Sequence, residues 1–138
     1  MNFNDVVDLL DRTPVVAIVT TRANGSPIAT PIWSVVVDGT PYLRSAYGPD
    51  SWWYKHILSG RPVAFAMGDG SLAERDRASA LDLPREAVTA VHVPGDDAVQ
   101  DAIDTALADK YPPGSALDNM TSDEARGCTL RVEAPALK

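Results

Sequence analysis

Six of the nine aromatic residues of this chain fall in one short window, together with cationic and hydroxyl side chains. The window contains Trp33, Tyr42, Tyr47, Trp52, Trp53 and Tyr54, along with Arg44, Ser45, Ser51 and Lys55. Aromatic faces stack on flat rings, while Arg, Lys and helix N-termini hold phosphate or carboxylate. This mixture favours a site for a flat, anionic ligand. The alternative is that the rings simply fill a small core.

The cations and hydroxyls of the window are candidates for holding the anionic part of such a ligand. Arg44 can make a forked contact to two phosphate oxygens, and Lys55 can act as a point charge. Ser45 and Ser51, with the first N–H groups of the helix that Ser51 begins, can complete a phosphate cradle. The alternative is that Arg44 is a surface charge and Ser51 only a helix cap.

The aromatic side chains divide into stacking and proton-donor candidates. Trp33 and Trp52 are predicted to stack on the ring of the ligand, whereas Trp53 is assigned to the core. Their alternative role is packing at a dimer interface, where Trp is enriched. Tyr47 and Tyr54 are the candidate catalytic residues, since a phenol can donate a proton to a reduced substrate. The alternative for each is a hydroxyl that points to water.

Composition limits the class of protein. The 138 residues, 45% of them hydrophobic, predict one domain over residues 1–138. A net charge of −7 argues against nucleic acid as a partner. Cys128 is the only cysteine, which fits a cytoplasmic protein. No apolar run is long enough to span a membrane, and His56 and His92 are too far apart in the chain to predict a metal site.

The remaining pattern predicts strands separated by turns and short helices. Pro31 marks an edge or a bulge in the second strand, and Gly60 ends the helix that follows the third. Residues 68–84 are the least regular and are predicted to be a loop or a lid. Strands are predicted over residues 15–21, 28–37, 42–46, 62–67, 86–93 and 128–133, and helices near residue 5 and over 52–59, 96–111 and 121–127. The fold class is therefore mainly β with short helices (α+β), in a six-stranded antiparallel barrel.

Three stretches, taken in order, resemble a known superfamily. The first, residues 20–33, runs Thr-Thr-Arg-Ala-Asn-Gly-Ser-Pro and on to Trp33. The second, residues 42–63, includes Leu-Arg-Ser-Ala and Ser-Trp-Trp-Tyr-Lys-His-Ile. The third covers residues 109–111 and 119–131. Together they resemble the FMN-binding split β-barrel superfamily, which includes pyridoxamine-phosphate-oxidase-like proteins and deazaflavin-dependent reductases.

This resemblance implies a homodimer with a cofactor site at the subunit interface and redox chemistry at a flavin or deazaflavin ring. The cofactor would be FMN or coenzyme F420, and the sequence does not choose between them. In this superfamily, backbone groups of the second strand approach the ring, which implicates Pro31, Ile32, Trp33 and Ser34. Residues 69–85 form a longer segment than the matching hairpin of the superfamily.

The leading functional hypothesis is an oxidoreductase acting on a small organic substrate, with the ring supplying hydride chemistry. A second hypothesis is a cofactor-free enzyme that orients an organic substrate in the barrel cavity during natural-product assembly. A third is a non-catalytic carrier of a planar ligand. Binding of FMN or the deazaflavin separates the first from the second, and turnover separates the first from the third.

Overall fold

The strands of the computed structural model, which describes residues 2–135, form one antiparallel sheet in the order β2-β1-β5-β6-β7-β4-β3. The strands are β1 (Val16–Thr21), β2 (Pro27–Ile32), β3 (Val35–Val37), β4 (Thr40–Arg44), β5 (Val63–Ala66), β6 (Arg85–Val93) and β7 (Thr129–Glu133). The helices are α1 (Phe3–Arg12), α2 (Trp52–Leu58), α3 (Ser71–Arg75), α4 (Arg77–Ala80), α5 (Val99–Lys110), α6 (Ser115–Met120) and α7 (Asp123–Arg126). A 3-10 turn, Gly48–Asp50, precedes α2.

The prediction of six strands was wrong, because the second predicted strand is two strands. β2 ends at Ile32 and β3 begins at Val35. Between them, the backbone N–H of Ser34 donates to the Tyr111 hydroxyl at 3.1 Å, and its carbonyl accepts from Lys110 Nζ at 2.6 Å. These side chains take the place of a neighbouring strand, so the ladder stops there. The prediction of an antiparallel α+β fold is confirmed, with seven strands.

The same interruption explains why the sheet curls. β2 and β3 lie at opposite ends of the strand order, yet only Trp33 and Ser34 separate them in the chain. Three residue steps span at most about 11 Å, so the two edges of the sheet must come together. The long strand β6 pairs with β5 through its first half and with β7 through its second half. The result is a half-barrel closed at the Trp33–Ser34 link.

The interior of this half-barrel is apolar. Its main cluster brings Val6 and Leu10 of α1 against Ile18, Phe65 and Leu130 of the sheet, each 1% exposed or less. α1 begins with a capping box between Asn2 and Asp5. A second cluster packs α5 onto the sheet and buries the side chains of Ile103, Leu107, Val35, Tyr42 and Val93.

The segment predicted as a loop or a lid folds as α3 and α4. Ala73 and Ala80 of these helices pack with Ala17 and Val19 of β1 in a cluster dominated by alanine. Such small side chains let the helices lie close to the strand. The segment is therefore docked on the sheet. Among residues 2–135, no helix combines the length and the apolar character that crossing a bilayer requires.

Candidate functional site

A cleft of about 400 Å³ opens between β2, the turn that follows β4, and α6. Six of the residues predicted from sequence line it: Pro31, Ile32, Trp33, Arg44, Tyr47 and Ser51. Trp53 lines it as well, and α6 contributes Ser115, Asn119 and Met120. The sequence pattern did not predict α6, a single short helix after Pro112-Pro113-Gly114. The volume lies in the range of small-molecule sites.

The position of Trp33 on the cleft wall is fixed by a second aromatic ring. Trp33 stacks on Tyr111 with ring centroids 3.9 Å apart and an interplanar angle of 6°. The Tyr111 hydroxyl accepts from the Ser34 N–H and donates to the Pro14 carbonyl. Burial raises the pKa of Tyr111 to about 12, so the hydroxyl stays a donor at neutral pH. Tyr111 lies far from the aromatic window in sequence, so no local pattern identified this contact.

Ser34 is held inside the protein rather than presented to the cleft. Its hydroxyl donates to the Leu10 carbonyl at 2.9 Å, and its own carbonyl accepts from Lys110. Lys110 Nζ also donates to the Leu10 carbonyl at 2.6 Å. Desolvation lowers the pKa of Lys110 to about 8. The two side chains fasten the Trp33–Ser34 link to the end of α1, and Ser34 does not line the cleft.

The low pKa of Lys110 predicts how stability changes with pH. The folded group loses its proton near pH 8, whereas the unfolded group keeps it up to about 10.5. Over that interval the unfolded chain binds more protons, so the contribution of Lys110 to the free energy of unfolding rises with pH. We expect wild type to gain stability relative to Lys110→Met between pH 8 and pH 10 in urea denaturation. Tyr111 begins to act in the opposite direction above pH 10. Parallel pH profiles of the two proteins would contradict this assignment.

Arg44 lies at the base of the cleft with its side chain only 1% exposed. The N–H groups of its guanidinium are all hydrogen-bonded within the protein. Its Nε donates to Thr129 Oγ1 at 3.2 Å. One terminal nitrogen donates to the Met120 carbonyl at 3.0 Å and to Asp104. The other donates to the carbonyl and the side-chain oxygen of Gln100, at 3.1 and 2.6 Å. The forked phosphate contact predicted for Arg44 has no donor left, and the guanidinium instead joins β4 to α5, α6 and β7.

Two serines brace the turn before α2. Ser45 donates to the Gly48 carbonyl at 2.5 Å, so the contact between Ser45 and Ser51 at 2.6 Å requires the Ser51 hydroxyl to be the donor. Ser45 is buried and does not line the cleft. Ser51 begins α2, but its side chain makes no cap hydrogen bond. Of these two serines, both predicted to contact phosphate, only Ser51 lines the cleft.

The two candidate catalytic tyrosines lie in different environments. Tyr47 is 76% exposed at the rim of the cleft. Tyr54 is buried with its hydroxyl beside the Cys128 thiol, and desolvation raises its pKa to about 12. It does not line the cleft. Trp53, assigned to the core from sequence, is buried in the core and also borders the cleft.

Trp52 and Lys55 line a second cavity, here called the α2 groove. It has a volume of about 600 Å³ and is lined by Arg22, Ala23, Ile28, Trp52, Lys55, His56, Ser59 and Arg61. The groove and the cleft have no lining residue in common. The predicted cofactor-binding residues are thus divided between two cavities, and Ser34 and Ser45 line neither. Within residues 2–135, no cluster of three or more His, Cys, Asp or Glu is placed to hold a metal ion.

Comparison with known proteins identifies the fold but not an activity. A family model described as an uncharacterized protein conserved in bacteria (DUF2255) matches residues 6–70. The structure is similar to a conserved hypothetical protein of Mycobacterium tuberculosis, at 16% identity and a TM-score of 0.58, covering 100% of this chain and 82% of that chain.

Two further solved structures are similar. One is the haem storage protein HutZ of Vibrio cholerae, at 12% identity and a TM-score of 0.65, covering 96% of this chain and 89% of that chain. The other is an F420 reductase, at 16% identity and a TM-score of 0.55, covering 94% of this chain and 92% of that chain. No curated protein matches the chain. At such identities the likeness is one of fold, and that shared fold is the split barrel.

Proposed function

Because the chain is a split barrel, we propose that it binds a planar ring of the flavin or deazaflavin class in the cleft and uses it to oxidise or reduce a small organic substrate. The observation that carries the proposal is the preformed aromatic wall. The Trp33 ring is held in place by its stack on Tyr111, and Trp53 borders the same cavity of about 400 Å³. A flat heterocycle is the ligand that such a wall suits best.

The cleft fits the ring of such a cofactor better than its acidic tail. Pro31, Ile32 and Met120 add apolar surface beside the two tryptophans. The cation of the cleft, Arg44, has every donor engaged within the protein. Ser51 and Asn119 are neutral hydrogen-bonding groups on the lining. We therefore assign the ring to the cleft and place the phosphate of FMN or of coenzyme F420 outside it.

The residues of the chain would then position the ring and protonate the substrate. When bound, the ring supplies hydride chemistry. Trp33 and Trp53 would fix its plane and exclude water from one face. The Asn119 amide can both donate to and accept from polar atoms at the edge of the ring. Tyr47, at the open rim, is the phenol placed to give a proton to a substrate that enters from solvent.

A second copy of the chain is proposed to complete the open side of the cleft. Tyr47 is a large side chain left 76% exposed at the rim, and buried Tyr is enriched in subunit interfaces. The split-barrel resemblance also implies a homodimer. Light scattering of the purified protein is expected to give twice the 14.7 kDa chain mass. A monomer at all concentrations would remove this part of the proposal.

Titration with lumiflavin, FMN and the deazaflavin coenzyme tests ring binding, with tryptophan fluorescence as the readout. Lumiflavin has the ring without a phosphate, so it reports on the cleft alone. We expect Trp33→Leu to weaken lumiflavin binding about tenfold through loss of stacking and apolar contact. The matched control is Trp52→Leu, which removes a tryptophan from the α2 groove and is expected to leave lumiflavin affinity unchanged. Equal losses in the two variants, or no binding of any of the three ligands, would contradict the proposal.

A carrier that binds the ring without turnover is the second candidate function. The observation that favours a carrier is the burial of Tyr54. Among the described residues, Tyr47 is then the one tyrosine on the cleft lining. Reduction of the bound ring followed by addition of candidate acceptors distinguishes the two functions. Reoxidation that depends on the acceptor and is slowed in Tyr47→Phe supports the enzyme. A reduced ring that no acceptor reoxidises supports the carrier.

A further inference from the structure

The α2 groove concentrates positive charge in an acidic protein. Arg22, Lys55 and Arg61 all line it, although acidic residues outnumber basic ones by 19 to 12 in the chain. No acidic residue is on its lining, and none of the three cations forms an ion pair within residues 2–135. A cleft lined by charges of one sign raises the local concentration of counter-ions, so three unpaired cations around one cavity favour binding of an external anion.

Most of the donors of the two arginines are free. Arg61 gives one terminal N–H to the Thr21 carbonyl at 3.0 Å. Arg22 makes only a long contact of 3.5 Å to the Ser26 hydroxyl. This contrasts with Arg44, whose donors are all engaged inside the protein. The α2 groove therefore has the free forked donors that the cleft lacks, and forked donors match phosphate oxygens.

An exposed aromatic face lies beside these cations. Trp52 is 72% exposed, and Lys55 Nζ lies 5.3 Å from the centroid of its ring. His56 borders the groove and is fixed by a hydrogen bond between its Nδ1 and the Thr20 hydroxyl at 2.9 Å. Burial lowers the pKa of His56, and the charges of Arg61 and Arg22 lower it further. The positive potential of the two arginines thus reaches the inner wall of the groove.

We propose that the α2 groove is a binding site for a small aromatic phosphate, with Arg22, Lys55 and Arg61 holding the phosphate and Trp52 stacking on the ring. A cavity of about 600 Å³ is suited to a small molecule. The net charge of −7 opposes a long polyanion such as nucleic acid. The site is separate from the cleft, because the two cavities share no lining residue, and it does not depend on the function proposed above.

Isothermal titration with phenyl phosphate and with inorganic phosphate tests the site. We expect phenyl phosphate to bind wild type about tenfold more tightly than inorganic phosphate, because only the first can stack. Trp52→Leu should abolish that difference and leave inorganic phosphate affinity unchanged. Arg22→Gln should weaken both ligands about tenfold or more through loss of a charge-assisted contact.

The matched control is Arg77→Gln, which removes the same charge from an exposed position on α4. It is expected to leave both affinities unchanged. Equal weakening in Arg22→Gln and Arg77→Gln would mean that net charge alone attracts the anion, and the site would be rejected. Loss of phenyl phosphate binding in Trp33→Leu but not in Trp52→Leu would place the ligand in the cleft and overturn the proposal, as would no binding to wild type. Lumiflavin binding is measured separately, so the two proposals can fail independently.

Discussion

Arg44→Met is expected to lower the free energy of unfolding by about 3 kcal/mol, the loss found when one partner of a buried ion pair is removed. Methionine fills much of the same volume but donates no hydrogen bond. The change removes the guanidinium donor from the Gln100 side-chain oxygen and from the Met120 carbonyl. Asp104 keeps Arg126, whose Nε lies 3.5 Å away, which places the expected loss at the lower end for such pairs.

Chemical denaturation of Arg44→Met beside Arg77→Met measures this effect. Arg77 is an exposed residue of α4, so its replacement is expected to change stability by no more than about 0.5 kcal/mol. Arg44→Lys should recover only part of the loss, since one ammonium cannot reproduce the spread of the guanidinium donors. If Arg44→Met unfolded together with Arg77→Met, the hydrogen bonds assigned to Arg44 would not contribute to the fold.

Gly70→Ala is expected to destabilise the protein by about 3 kcal/mol, the upper end for overpacked sites. A Cβ at Gly70 would lie 2.3 Å from the carbonyl carbon and 2.4 Å from the Cα of Val16. Val16 belongs to β1, which pairs with strands on both sides, so its backbone cannot retreat without breaking those pairs. The Gly70 N–H also donates to the Val15 carbonyl at 2.9 Å, which holds the two segments together.

Gly127→Ala is the matched control for that steric effect. Gly127 has an ordinary helical φ of −70°, and its added Cβ would meet no atom closer than 3.5 Å. Its replacement is expected to leave stability within about 1 kcal/mol of wild type in urea denaturation. Similar midpoints for the two variants would show that the Gly70 segment can shift away from β1.

Local sequence signals predicted the turns and helix ends that neighbouring residues determine. Gly25 and Gly60 adopt the positive φ angles that the turn and the helix end require, +87° and +79°. The helix predicted over residues 121–127 is α7, and Ser122 is its cap. The break at Trp33–Ser34 has no such local cause. The Ser34 backbone bonds to Tyr111 and Lys110, which lie 77 and 76 residues further along the chain, so no window around Ser34 could predict it.

The candidate site was predicted in part for the same reason. The concentration of aromatic residues located β2 and the turn before α2, which wall part of the cleft, because these two segments are close in sequence. Whether the N–H donors of a cation are free to bind a ligand depends instead on hydrogen-bond partners that are distant in the sequence. Arg44 and Lys55 were both predicted to hold phosphate. In the structure Gln100 and Asp104 of α5 accept the hydrogen bonds of Arg44, while Lys55 remains exposed over Trp52.

A crystal structure of the protein grown with FMN tests the central claim most directly. The account predicts the isoalloxazine ring in the cleft, in contact with Trp33 and Trp53, and the phosphate outside the reach of Arg44. A ring found only in the α2 groove against Trp52, or a cleft filled by Tyr47 and α6 with no ligand inside, would contradict it.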